Sequence, residues 1–341
     1  MSRALGPIRE GQLVVGDDWL SISYGETVVD SRKLRYAQTN RLGEKRLKTL
    51  FTKEPTTIAW LDSFRAGQVL VDIGANVGLY SIYAAVMRGA TVHAFEPEAL
   101  NYAELNKNVF INGLHGQVLA YCVAITDEDR VDRLFLGGFA EGMSHHDFGE
   151  NTWSEDKNFG AVTTSKDSRL VQGCVGFRLD TLVERGVIPI PDHVKIDVDG
   201  LEHRVVEGAW NTFQSPALKS VLIEIDHRIP KCRDIVDRML SLGWRYSINQ
   251  VRANRKVTFT PEDIARMREQ GKGGFNYIFY KDEAYDRLFD AYIATYVPPM
   301  APKAADSARA PGSESAVMRL RRRLRIRSRL KRLFNLESKP K

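Results

Sequence analysis

VLVDIGANVGLYSIYAAVMRGATVHAFEPE, residues 69–98, reads as a strand, a glycine-bearing turn, a helix and a second strand. VLVDI (69–73) and TVHAF (91–95) are apolar on both faces, as strands buried on both sides of a parallel sheet are. Between them, Gly74 and Gly78 let the backbone turn sharply and let a ligand lie against bare peptide. The helix expected over 77–88 offers unpaired N–H groups at its start. Working outward, similar apolar runs recur at VLAYCVA (118–124), HVKIDV (193–198) and SVLIEI (220–225), and helical patterns fit 98–110, 202–213 and 231–242. That alternation predicts an α/β fold with a doubly wound, mostly parallel, Rossmann-like sheet. WRYSIN (244–249) and FNYIFYKD (275–282) predict an antiparallel pair closing one edge. A strand over Trp19–Tyr24 and a helix over 55–64 precede the sheet.

The turn narrows the ligand. A dinucleotide fingerprint, GxGxxG, would place glycines where counting from Gly74 gives Asn76 and Leu79, and no GK[ST] follows to make a P-loop. Glu96 closes the second strand about twenty residues beyond the turn, where a doubly wound sheet presents a carboxylate to both hydroxyls of a ribose. Pro97 then opens the next helix at a position proline tolerates.

VDIGANVGLYS, AFEPEALNYAELNKNV, CVAITD (122–127), RLDTL (178–182), VKIDVDGLEHRVVEGA (194–209) and LIEID (222–226) together resemble the FkbM-type methyltransferases, a class I S-adenosylmethionine-dependent group. The resemblance covers about Gln68 to Lys281 and departs from the family pattern at Asp199 and Leu201. It implies S-adenosyl-L-methionine as cofactor. Asp72, Gly74, Asn76 and Gly78 would contact its methionine end, Glu96 its ribose, and the neighbourhood of Ala124 its adenine.

Methyl transfer from a sulfonium mainly requires alignment of the acceptor and a destination for its proton. A base for a hydroxyl acceptor belongs at the carboxyl ends of the strands beside the cofactor. Asp197 is the first choice there, as base or acceptor anchor, with Glu202 and His203 following in the next turn. Lys195 shares the face of Asp197 in an extended run and is placed to pair with it. The polar stretch 137–170 is too long for an idle connection. Its His145 and His146, beside Phe139, Phe148, Trp153 and Phe159, suit stacking on a flat or sugar-like acceptor. Two other readings stay open: a glycosyltransferase using Asp197 and Asp199 with a metal, and a cofactor-binding module without catalysis. The cysteines and histidines are too scattered for a zinc site, so no metal is expected.

The three cysteines of the 341-residue chain, Cys122, Cys174 and Cys232, fit neither a disulfide framework nor a CxxC site. The first residues lack the apolar core of a signal peptide, and the expectation is a cytoplasmic protein. Net charge is +6, but Arg319–Lys341 holds eleven basic residues and one acid, which leaves residues 1–318 at −4. The expected organisation is a cap (1–66), a methyltransferase domain (67–297), a Pro/Ala/Ser-rich linker (298–318) and a basic tail (319–341). The tail sets Leu320, Leu324, Ile326, Leu330, Leu333 and Phe334 among nine Lys/Arg. This is the pattern of a basic amphipathic helix suited to an anionic membrane surface, with nucleic acid the second choice. A hydroxylated acceptor, such as a glycan or a lipid-linked glycan, is the expected partner of the catalytic domain.

Overall fold

The computed structural model describes residues 5–15, 20–151, 170–252 and 260–295. All of them belong to one compact unit, Met1–Pro298. The linker, the basic tail, Trp19, Trp153 and Phe159 lie outside the described residues.

The strands are β1 (Arg9–Val15), β2 (Leu20–Val29), β3 (Arg32–Ala37), β4 (Val69–Ile73), β5 (Thr91–Phe95), β6 (Val118–Tyr121), β7 (Ala124–Ile125), β8 (Arg130–Leu136), β9 (Asp147–Phe148), β10 (Leu170–Phe177), β11 (His193–Ile196), β12 (Ser220–Asp226) and β13 (Gly274–Tyr280). The central sheet runs β13-β12-β11-β4-β5-β6. Its strands are parallel except β13, which is antiparallel to β12. The chain builds β4, β5 and β6 toward one side, then returns to lay β11, β12 and β13 on the other. The order therefore reverses between β4 and β11, and a doubly wound sheet opens its ligand crevice at the carboxyl ends of such strands.

Alternate strand residues face opposite layers. Leu70, Leu222 and Ile278 meet Trp60, Leu61 and Ile82 on one side, whereas Val71, Val194 and Val221 meet Phe213, Ile235 and Val236 on the other. Two covered faces explain why these strands read as apolar throughout. Trp60, with no exposed surface, donates its indole N–H to Ser220 Oγ at 2.7 Å, so even this large ring is buried without an unmet donor.

The N-terminal cap is a three-stranded antiparallel sheet, β1-β2-β3. Asp30 and Ser31, both at positive φ (46° and 65°), form the two-residue turn between β2 and β3, the backbone twist such hairpins require. The cap is fixed to the helix Ala99–Ile111, where Asn108 Oδ1 accepts from the Ala37 N–H at 2.7 Å.

Several boundaries differ from the sequence reading. VLAYCVA is not one strand: Val118–Tyr121 pairs with β5, and Ala124–Ile125 leaves the central sheet to pair with β10 in a second sheet, β7-β10-β8-β9. WRYSIN does not form the edge pair; the antiparallel partner of β13 is β12, and only a single bridge, Arg245 to Tyr280, joins the segment to it before Ile248–Arg252 turns helical. The helix expected over 77–88 is α-helical at Leu79–Tyr83 and continues as a π-helical turn, Ala84–Arg88. Those expected over 202–213 and 231–242 are each broken in two, at Ala209 and Asp234. Among the described residues no helix is long and apolar enough to cross a membrane.

Candidate active site

Gly74 leaves β4 with φ +74°. A Cβ there would stand 1.9 Å from the Asp197 carbonyl oxygen, so only a bare peptide fits. The Asp197 N–H in turn donates to the Ile73 carbonyl at 3.1 Å. The glycine turn and the end of β11 are thus locked together at the point where strand order reverses. Asn76 takes φ +52°, a conformation its short amide side chain tolerates. Gly78, at φ +79°, starts the following helix under the Leu105 side chain.

Glu96 and Asn76 meet. The Asn76 N–H donates to Glu96 Oε2 at 2.7 Å, and the Glu98 N–H donates to Oε1 at 3.1 Å. Burial pushes the Glu96 carboxyl up to about 7, against these hydrogen bonds, which favour its ionised form. Next to it opens a cleft of about 400 Å³, lined by Gly74, Phe95, Pro97, Ala124, Phe148 and Arg204 among others. Its walls are mostly apolar, with Thr126, His146 and Arg204 the polar side chains among them. Asp72, by contrast, is turned inward. It is 1% exposed, accepts from Ser81 Oγ at 2.6 Å and lies 3.5 Å from Lys195 Nζ.

The carboxyl end of β11 carries the charges. Lys195, 2% exposed, places Nζ 3.1 Å from Asp197 Oδ2 and over the Tyr80 ring. Burial alone would lower the Lys195 ammonium; Asp197, Asp72 and Glu54 instead hold it above its ordinary value. Burial likewise opposes ionisation of Asp197, but Lys195, a hydrogen bond from Glu224, and Lys53 hold its carboxyl well below the usual carboxylate range. Asp197 is therefore a fixed anion, with a quarter of its side chain (26%) open. Asp199, at φ +58°, turns the other way: its Oδ2 accepts from the His145 N–H at 2.7 Å, and its Oδ1 lies 3.4 Å from His145 Nδ1. The two aspartates thus have separate partners, and among the described residues no group of three or more His, Cys, Asp or Glu could hold a metal ion.

Glu202 and His203 begin the helix Glu202–Gly208. Glu202 Oε1 accepts from the Gly200 and Val198 N–H groups at 3.0 and 3.3 Å, and burial pushes its carboxyl up to about 7. Its carboxyl closes the turn below Asp197. The His203 ring lies 3.6 Å from Cys232 Sγ, and burial lowers its pKa.

Segment 140–146 is drawn across the turn. Met143 O accepts from the Asn76 and Asn101 side chains at 2.7 and 3.0 Å, and the Gly142 N–H donates to Asn101 Oδ1 at 2.7 Å. From the cap, Asn40 donates to Glu141 O at 2.8 Å, and Arg46 donates to Gly142 O. The His146 ring spans the segment, with Nε2 3.3 Å from Met143 O and Nδ1 accepting from the Gly137 N–H at 3.3 Å. Phe139 is largely exposed and Phe148 buried, so these two described aromatic residues do not share one platform. The sequence reading missed this strap and the cap residues that hold it. It also missed Glu224 and Glu54, whose only signal was an acid inside an apolar strand and an acid before a helix-opening proline.

The model of the methyltransferase FkbM domain matches residues 72–246, more than half of the chain. The chain belongs to this family. FkbM-family relatives among curated proteins include "31-O-demethyl-FK506 methyltransferase FkbM" of Streptomyces tacrolimicus, 31% identical over 176 residues, which covers 47% of this chain and 66% of the relative. "Hexuronic acid methyltransferase AglP" of Haloferax volcanii is 24% identical over 180 residues, 53% of this chain and 65% of that protein. This chain therefore spans slightly under two thirds of either relative. Among solved structures, methyltransferase FkbM from Methylobacillus flagellatus KT aligns over 71% of this chain and 55% of that one, with a TM-score of 0.41 and 12% identity.

Proposed function

We propose that this FkbM-family chain is an S-adenosylmethionine-dependent O-methyltransferase acting on a hydroxyl of a glycan or another hydroxylated metabolite. The observation that carries the reading is the contact of the Gly74 turn with the Asp197 main chain. It sets a backbone-lined ligand turn directly beside a fixed carboxylate at the switch point of the sheet. The residues present suit the cofactor, since the cleft runs from the bare Gly74 peptide past Phe95 and Pro97, the neighbours of Glu96, to Ala124. In this reading the turn 74–78 holds the methionine end, Glu96 the ribose, and the walls at Phe95, Ala124 and Phe148 the adenine. When bound, S-adenosylmethionine supplies an electrophilic methyl group on a sulfonium.

The protein's own part is orientation and proton handling. Asp197, kept ionised by Lys195, accepts a hydrogen bond from the acceptor hydroxyl and so aims an oxygen lone pair at the turn. A weak base suffices there: an oxygen that gains a methyl group before losing its proton is a far stronger acid than any carboxylic acid, so the proton passes to Asp197. Glu202 and His203, turned toward the Gly200 turn and Cys232, serve as supports of that loop. Oxygen as the target is also the chemistry in the name of the Streptomyces relative, and a sugar acid is named for the Haloferax one. The basic tail is proposed to bring the domain to an anionic membrane surface, which would suit a lipid-linked acceptor.

The test is incubation of the full chain with methyl-labelled S-adenosylmethionine and a panel of polyols, hexuronates and glycans, read by mass spectrometry and fragmentation. Label on an acceptor oxygen is expected. Label found only on nitrogen would overturn the O-methyl assignment.

A further inference from the structure

Glu224 stands on β12 opposite Asn276 of β13. Because Lys195 pairs with Leu222 in the parallel register of β11 and β12, strand alternation puts Glu224 on the same face as Lys195 and Asp197. There the register, carried one residue past the Ile196–Ile223 pair, sets its carboxyl beside that of Asp197. Two carboxylates held side by side in a largely buried site repel each other when both are ionised, so one of the pair carries a proton. The position of Lys195 decides which: its ammonium is on Asp197 and Asp72. The charge resides on Asp197, and the proton on Glu224.

We propose that Glu224 is a positioning residue for methyl transfer, staying un-ionised and donating the hydrogen bond that, with Lys195, aims the Asp197 carboxylate at the acceptor hydroxyl. This rests on the methyltransferase reading of the site. The groups around Glu224 favour its neutral form. Beyond Asp197, whose charge acts first, burial, Glu54 and Glu202 all push the Glu224 carboxyl well above the usual carboxylate range. Lys53, a further cation near this site, is 2.8 Å from Glu54 Oε1. Asn276 Nδ2 donates to Glu54 Oε2 at 3.1 Å, so the neighbour across the strand is directed to Glu54. The Asp197 carboxylate thus has a cation on one side and a neutral donor on the other, a pair whose titration is shared.

The sign of the pH effect follows. When pH rises through the raised value of Glu224, a second anion forms against Asp197 and the donor is lost, so turnover falls on the alkaline side. Glu224→Gln keeps an N–H donor and cannot ionise. It is expected to keep turnover within about threefold of wild type near neutrality, less than one charged hydrogen bond would cost, and to lose the alkaline fall. Glu224→Ala, which has no donor, is expected to lose about 10- to 100-fold. Both should bind S-adenosylmethionine as wild type does. Infrared difference spectra of wild type against Glu224→Gln, taken on glutamate-labelled protein without acceptor, should show the carbonyl stretch of an un-ionised carboxyl that disappears at alkaline pH. A Glu224→Gln enzyme that binds cofactor but is inactive, or that keeps the alkaline fall, would overturn the proposal. Should wild type transfer no methyl group to any acceptor, the methyltransferase reading fails on its own. The infrared band then still decides the protonation of Glu224, and its absence at neutral pH in wild type overturns the proposal even if no variant folds.

Discussion

Gly74→Ala puts the central contact to a quantitative test. The added Cβ would lie 1.9 Å from the Asp197 carbonyl oxygen, at a φ of +74° that side chains other than glycine rarely adopt. The left-handed conformation costs roughly 1–2 kcal/mol. Forcing an atom into filled space costs roughly a further 1–3 kcal/mol. The sum, roughly 2–5 kcal/mol, corresponds to a fall in Tm of roughly 3–8 °C for a compact unit of this size. Gly67 provides the control, since it has φ +80° but nothing within 4 Å of the equivalent Cβ. Gly67→Ala should show only the conformational cost, roughly 1–2 kcal/mol. Since the Gly74 variant can relieve its clash only by moving the turn off β11, its affinity for S-adenosylmethionine should fall about 10- to 100-fold. Thermal unfolding and calorimetric titration of both variants read these effects. A Gly74→Ala protein that matches Gly67→Ala in Tm and wild type in affinity would refute the packing argument.

Three further outcomes follow from the same structure. Glu202 is 2% exposed with its carboxyl raised to about 7, so the stability of its neutral form is fully present below about pH 4.5 and is lost as pH rises toward 7; Glu202→Gln, which stays neutral, should therefore gain up to about 3 kcal/mol over wild type at pH 8 relative to pH 5 in urea unfolding, and an equal difference at both pH values would count against it. Glu96→Ala should weaken S-adenosylmethionine binding by about 1.5–3 kcal/mol, the scale of a hydrogen bond to a charged group, and an unchanged Kd would remove Glu96 from the ribose site. Truncation after Pro311 should leave cofactor binding intact and abolish salt-sensitive co-sedimentation with anionic vesicles; if the full chain instead ignores vesicles and binds RNA, the tail is a nucleic-acid arm.

The sheet was readable where both faces of a strand are buried. Val69–Ile73 and Thr91–Phe95 fall on the expected bounds because no polar residue on a covered face blurs them, Asp72 and His93 apart. The run 118–124 misled because apolarity records burial and not direction: Tyr121 stacks on Phe95 in one sheet, and Ala124 is buried in the other. β8 and β10 went unread because they are only half covered. Val131, Val171 and Val175 are exposed there, and a long insertion separates two strands that pair residue for residue. Within the site, the glycine turn and Glu96 were legible because backbone freedom and a strand-end acid leave a local signature. The partners of Asp197 were only half legible. Lys195 was visible from alternation along one strand, whereas Glu224 comes beside Asp197 through strand register, which no spacing in the chain records.

The identity of the ligand in the Gly74 turn is tested most directly by isothermal titration of the full-length chain with S-adenosylmethionine, S-adenosylhomocysteine and NAD. Saturable one-site binding of both adenosyl compounds and none of NAD is expected, with Glu96→Ala weakening both. Binding of NAD with neither adenosyl compound would contradict the account.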